Sequence, residues 1–288
     1  MDCIKIKIND DCNLNVREFL SQNHIGKEKI KNINYKKEIL VNNEYIDIDE
    51  YVLKKSDEIE LVIDEEVDFL EEDIDIDVVF EDDYLLIVNK PIGIIIHPDD
   101  KDKKGTLVNR IANYYKKNNI NRKIRYLHRI DKDTSGLVMF AKDYYTEGIM
   151  IKNIQDDKVD RFYLGIVNGN INKKKGFIEG AIGSDRHVNN KMCVSKGKNA
   201  KYARTEYEVL AENDKYSLVK FKLHTGRTHQ IRVHSAYINH PIVGDIIYGE
   251  KSIDYGRLML HSYEMRFIHP ITNEEIIVKK NNDAFRLI

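Results

Sequence analysis

Apolar residues recur at helical spacing twice near the start of the chain, over residues 14–20 and 25–33, and Asn13 is placed to cap the first of these helices. The period then changes. Residues 37–63 alternate, carry the turn signal Asn42-Asn43, and close on a strand-like run at residues 59–63. Two short helices feeding a small twisted hairpin sheet are predicted. From Tyr84 onward the apolar runs are short, β-branched or aromatic: YLLIVNK, GLVMFAKD, FYLGIVNG, TEYEVL, YSLVKFKL and RLMLHSY. Helical segments are predicted between them at 106–117, 146–153 and 228–239. The βαβα rhythm of a parallel sheet is missing, and no repeat of fixed period is visible. The pattern predicts an α+β fold, with a central, mainly antiparallel mixed sheet flanked by helices and preceded by a small α/β domain. No apolar run reaches the ~18 residues of a membrane span.

Composition adds a boundary. The 288 residues carry a formal charge of −2, which by itself speaks against a nucleic-acid partner. The charge is uneven. Residues 1–56 are neutral overall, residues 57–83 hold 15 acidic side chains and no basic one, and residues 84–288 carry a net +13. The chain is therefore read as a module at 1–64, an acidic linker at 65–80 entering an edge strand, and a large basic domain at 81–288. Asp73, Asp75 and Asp77 alternate along the linker, but neither the glycine nor the distal glutamate of a calcium loop accompanies them. Cys3, Cys12 and Cys193 are too few and too scattered for a disulfide framework or a zinc site. Acidic residues near the N-terminus disfavour a signal peptide, so a cytoplasmic location is expected.

Two clusters carry chemistry. The first is YLHRIDKDTSGLVMFAKD, in which His128, Arg129 and Asp131 crowd a turn before a strand. Thr134-Ser135-Gly136 is read as a tight turn, with glycine free to take positive φ. A carboxylate among cations stays ionised, which suits nucleophilic attack or proton abstraction; a salt bridge at a strand entry is the plainer alternative. The second cluster is LHTGRTHQIRVHSAYINHPIVG, with four histidines and with Arg227 and Arg232. His229 and His234 are five apart, which does not suit a zinc pair on one helical face. Thr225-Gly226-Arg227 is read as a helix opening able to hold a phosphate, and His229 and Arg232 share one face.

The segments VNKPIGIIIHP (88–98), HRIDKDTSGLVMFAKD (128–143), RFYLGIVNG (161–169) and LHTGRTHQIRVHSAYINHPIVGD (223–245) resemble, in this order, the RluA-type pseudouridine synthases. RLMLHSYEMRFIHPIT (257–272) resembles that family's closing segment. Residues 1–64 resemble the alpha-L RNA-binding module of a small-subunit ribosomal protein and tyrosyl-tRNA synthetase. The resemblance implies isomerisation of uridine in RNA, with large-subunit ribosomal RNA as the expected substrate. Transfer RNA, or a weakly active RNA-binding assembly factor, is the alternative. Asp131 stands at the family's catalytic aspartate, Arg232 at the arginine that pairs with it, and Tyr163 at the tyrosine that packs on the uracil. Arg129, His128, Thr134, Arg227, His229 and Gln230 are the expected substrate-binding residues. Ile130 and Arg161 depart from the usual Leu and Lys. No cofactor and no metal are expected, RNA is the expected partner, and a monomer is expected. A retaining glycoside hydrolase would need two carboxylates ~5 Å apart, and only Asp133 stands near Asp131 in sequence.

Overall fold

The computed structural model describes residues 2–98, 103–186, 188 and 191–286. Its first part comprises β1 (Asp2–Lys7), α1 (Val16–Gln22), α2 (Lys27–Tyr35), β2 (Ile39–Val41) and β3 (Glu58–Ile63). β3 is the centre of a three-stranded sheet, paired antiparallel with β1 and with β2. Ile59, Leu61 and Ile63 face the helices and are buried with Ile4, Ile6, Leu20, Ile30 and Ile33. β1 is not among the predicted strands, although its DCIKIK alternation is a strand signal. The helix cap is Asn15, not Asn13. Asn15 and Glu18 exchange side-chain-to-backbone bonds in a capping box, whereas Asn13 sits at φ +50° in the connection before it. Asn42 and Asn43 both have positive φ, as the turn signal predicts.

The second part runs β4 (Asp77–Glu81), β5 (Leu85–Lys90), α3 (Leu107–Lys117), β6 (Arg125–Tyr126), β7 (Ser135–Ala141), α4 (Tyr144–Gln155), β8 (Asp160–Asn168), β9 (Lys175–Glu179), β10 (Ile182–Ser184), β11 (Met192–Val194), β12 (Arg204–Glu212), β13 (Tyr216–Leu223), α5 (Gln230–Tyr237), β14 (Leu260–Ile268) and β15 (Glu275–Lys279). Ten strands form one sheet in the order β4-β5-β7-β14-β8-β13-β12-β9, with β15 on β14 and β6 on β7. Only the β7–β14 pairing is parallel, so the expected α+β, mainly antiparallel architecture is what forms. One face of the sheet packs on α3 and α5 through Val88, Val138, Tyr163, Phe221 and Ile231. The other packs on α4 through Met139, Met150 and Val159.

The linker is not a free tether. Val67 and Phe69 pack on the core of the large sheet. The Asn109 side-chain amide donates to the Leu70 carbonyl at 2.7 Å, and the Glu72 N–H donates to the Asn109 carbonyl at 3.0 Å. Glu71 pairs with Lys116, and Asp73 and Asp75 pair with Lys117, all on α3. These exposed pairs contribute little each; the apolar anchors and the backbone bond hold the strap. The N-terminal module is tied down too. Asp2 takes Arg122 through two bonds of 2.7 and 2.8 Å, and Tyr144 and Tyr145 of α4 join the module's own core. Glu71, Glu72, Asp73 and Asp75 thus lie along α3, and no linker carboxylate among the described residues lines the cleft or the hollow around Asp131.

Candidate active site

Lys90 ends β5 fully buried, where burial pulls its ammonium down to about 8. Its Nζ donates to the carbonyls of Pro91, Ile94 and Lys132 at 2.9, 2.9 and 3.0 Å. The Gly93 N–H donates to the same Lys132 carbonyl at 2.9 Å. One buried cation therefore joins the turn after β5 to the loop that carries Asp131. That loop closes through the Thr134 N–H and the Asp131 carbonyl at 3.1 Å, so the turn is 131–134, not the expected 134–136. Gly136 lies inside β7 at φ +114°, and a Cβ there would stand 2.1 Å from the Ser262 carbonyl oxygen. Glycine is needed because β14 passes directly against it.

The Asp131 side chain is 23% exposed, and its Oδ2 accepts from Arg232 Nη1 at 3.1 Å. Arg232 is itself clamped. Its Nε and Nη2 donate to the two carboxylate oxygens of buried Asp245 at 2.7 and 2.8 Å. Burial works against the Arg232 charge, but Asp245 and then Asp131 overcome it and leave the guanidinium above its ordinary value. The Tyr248 ring lies 5.2 Å from that guanidinium, and its hydroxyl bonds His229 Nδ1 at 2.8 Å. His229 Nε2 is 4.0 Å from Asp131 Oδ1. Burial keeps His229 below the usual imidazole value against the pull of Asp131.

α5 begins at Gln230 and not at Thr228, because His229 takes the left-handed conformation. The expected phosphate-holding helix start at Thr225-Gly226-Arg227 is a turn, and its Arg227 N–H is bonded at 3.0 Å to the Gln230 side chain. Gln230 Oε1 also accepts from the Thr225 hydroxyl, while Nε2 donates to the Arg204 carbonyl and to Thr205. Its polar atoms are engaged by scaffold, so Gln230 braces the turn while also lining the hollow described below. His128 is a second brace, with Nε2 accepting the Met139 N–H at 3.1 Å. Burial, helped by the charge of Arg161, pushes it down to about 3, so it is neutral.

The other expected residues converge. A hollow of about 50 Å³ is lined by Asp131, Thr134, Tyr163, Arg129, Arg227, His229 and Arg232. Tyr163, 4% exposed, lies on β8 at its floor. Burial raises its phenol above the ordinary value, against Arg161 and Ser262, so it is protonated at neutral pH. The Thr134 hydroxyl is buried there without a partner. The hollow shares Arg129, Asp131, Tyr163 and Arg227 with a cleft of about 670 Å³, whose other charged or polar lining includes His128, Lys132, Arg161 and His224. Asp131 is the only carboxylate lining either space among the described residues, which removes the two-carboxylate geometry of a glycosidase. A larger hollow of about 1140 Å³, between the module, the linker and α3, has no such convergence. The sequence reading missed Asp245 and Tyr248, which lie just beyond or at the end of the second cluster. Pairing between residues 13 and 19 positions apart along a loop has no periodic signal.

Comparison with known proteins agrees with this geometry. Residues 84–237 match the family model described as RNA pseudouridylate synthase. The chain is 39% identical over 246 residues to the uncharacterized RNA pseudouridine synthase YhcT of Bacillus subtilis, covering 84% of this chain and 80% of that one. It is 41% identical over 222 residues to ribosomal large subunit pseudouridine synthase D of Borreliella burgdorferi, covering 73% and 68%. Among solved structures, human RNA pseudouridylate synthase domain containing 1 superposes with a TM-score of 0.60 at 27% identity, covering 72% of this chain and 84% of that one. A basic cleft with a single carboxylate in its floor, on this sheet and with these relatives, means that the chain belongs to the RNA pseudouridylate synthase family and is an isomerase of uridine in RNA.

Proposed function

We propose that Asp131 is the carboxylate of the isomerisation and that large-subunit ribosomal RNA is the substrate. The observation that carries the first part is the Asp131–Arg232–Asp245 relay, which holds one carboxylate at the junction of a basic cleft and a small hollow floored by Tyr163. The reaction breaks the N1–C1′ bond, turns the uracil, and forms the C5–C1′ bond. The C5 proton leaves and N1 regains one, so no donor or oxidant is consumed. Asp131 acts either by attack at C1′ or by removing the C2′ proton, and both routes return it unchanged. Arg232 orients it and offsets its charge. Tyr163 packs on the free uracil and shuttles the proton, its hydroxyl giving one proton toward N1 as its oxygen takes the one that leaves C5. Extruding the uridine costs a few kcal/mol, and phosphate contacts along Arg129, Lys132 and Arg227 offset that.

The second part is supported by the names of several relatives, which are large-subunit ribosomal enzymes. The exposed lysines of α2 and its end, Lys27, Lys31, Lys36 and Lys37, give the N-terminal module a basic face toward RNA. The test is carbodiimide mapping of pseudouridine in total RNA from a strain lacking the protein. Loss of sites in large-subunit RNA is expected. Loss confined to transfer RNA would move the address, and no loss anywhere would refute the proposal.

A further inference from the structure

Arg161 is buried and holds nothing. It is 6% exposed, and its Nε is sealed from solvent without an acceptor. No ion pair or hydrogen bond of its guanidinium is found among the described residues, and Nη1 and Nη2, unlike Nε, keep access to the cleft that Arg161 lines. Asp131, the one acid lining the same cleft among the described residues, is already engaged by Arg232. An uncompensated buried cation is strongly disfavoured unless an anion joins it. The side chain lines the large cleft together with Tyr163, His128 and the turn at residues 225–227. A Cβ at Gly226 would stand 3.3 Å from Nη1 and 3.9 Å from Nη2, so the bare glycine leaves the guanidinium uncovered on that side.

We propose that Arg161 and the Gly226 turn form a subsite for one phosphate of the substrate RNA, next to the uridine held over Tyr163. This rests on reading the cleft as the RNA cleft. The phosphodiester is the anion that RNA supplies, and its two free oxygens match the planar guanidinium fork. A uracil carbonyl would leave the buried charge uncompensated. The lysine usual in the family at this position would bring the charge without the fork. RNA therefore completes an ion pair that the free protein leaves open.

The test compares wild type with Arg161→Met and Arg161→Lys. Binding of a fluorescein-labelled dodecauridylate is followed across a potassium chloride series, and turnover is followed by tritium release from 5-tritiated total RNA of cells lacking the enzyme. Arg161→Met is expected to weaken binding ~10- to 100-fold and to lower the salt slope of log Kd by about 1. Its turnover loss falls in KM rather than kcat, and Arg161→Lys recovers most of it. Arg161→Met also melts no lower than wild type, because a buried unpaired charge is gone. An unchanged salt slope, a loss confined to kcat, or a lowered Tm that makes Arg161 a structural brace would each overturn the subsite. Wild-type protein that binds the oligonucleotide but releases no tritium would refute the functional reading, while the slope difference would still decide the subsite.

Discussion

Replacing Asp245 with asparagine tests how the protein holds its carboxylate from behind. Asp245 is 1% exposed and faces Arg232 with both oxygens at 2.7 and 2.8 Å. Its Oδ1 also accepts the N–H groups of Ile247 and Tyr248, which an asparagine oxygen can still do. The loss is thus one charge and one acceptor. With charge centres ~4 Å apart and an effective dielectric constant of ~20, the attraction is about 4 kcal/mol. Leaving a buried partner uncompensated costs ~3–5 kcal/mol, and the retained acceptor places this variant near the lower end, about 3 kcal/mol. That is within the ~5–15 kcal/mol of a folded protein, so the variant folds. Arg232 then has only Asp131 to hold it. A shift of ~1 Å in such a group costs ~100-fold in rate. Urea denaturation should show the destabilisation, and tritium release at saturating RNA should show kcat falling with KM nearly unchanged, because Asp245 lines neither cleft. Removing both charges with Asp245→Asn and Arg232→Met together should destabilise less than the sum of the single changes. Stability within ~1 kcal/mol of wild type together with wild-type kcat would refute the relay.

Gly136→Ala should unfold or nearly unfold the protein, because positive φ and a 2.1 Å approach to the Ser262 carbonyl leave no room for a methyl group; a wild-type Tm would contradict this. His128 has a folded value of about 3 against an unfolded value of ~6.5, so the unfolded chain binds more protons between those limits. The stability that neutral His128 contributes is complete above ~6.5 and is lost as pH falls toward about 3. His128→Gln should flatten that acid limb in urea titrations at pH 4 and pH 7, with the burial-lowered His234 and His261 leaving part of it. Removing residues 1–75 uncovers Tyr144 and Tyr145 and strips Arg122 and Arg125 of Asp2 and Glu65. The remainder should melt well below the full chain, and an equal Tm would show that the module is a loose appendage after all.

The sequence reveals the architecture where its periods are clean. The strands at 84–90, 162–169 and 216–223 and the helix at 106–117 stand within two residues of their predicted bounds, since apolar alternation and the Thr106 cap are local signals. The start of α5 was placed too early because Gln230 caps the turn through its side chain, and a tertiary bond to Arg204 sets that geometry. The packing of the linker at 65–80 is not legible for a related reason. A run of 15 acids reads as solvated, and nothing in its own sequence shows that Val67 and Phe69 reach the core or that α3 presents lysines to it. Within the site, Asp131, Tyr163 and Arg232 were recognised through motif resemblance, and the structure brings them to one hollow. Asp245 escaped because its importance comes from what it grips, and a single aspartate after a glycine carries no sign of a partner 13 residues earlier.

The most direct measurement is tritium release from 5-tritiated uridine RNA by Asp131→Asn beside wild type. Asparagine keeps the size and the acceptor toward Arg232 and removes only the negative charge. RNA binding should persist while release falls to the uncatalysed level. Sustained release by a folded Asp131→Asn protein would contradict the assignment of Asp131 as the reacting carboxylate.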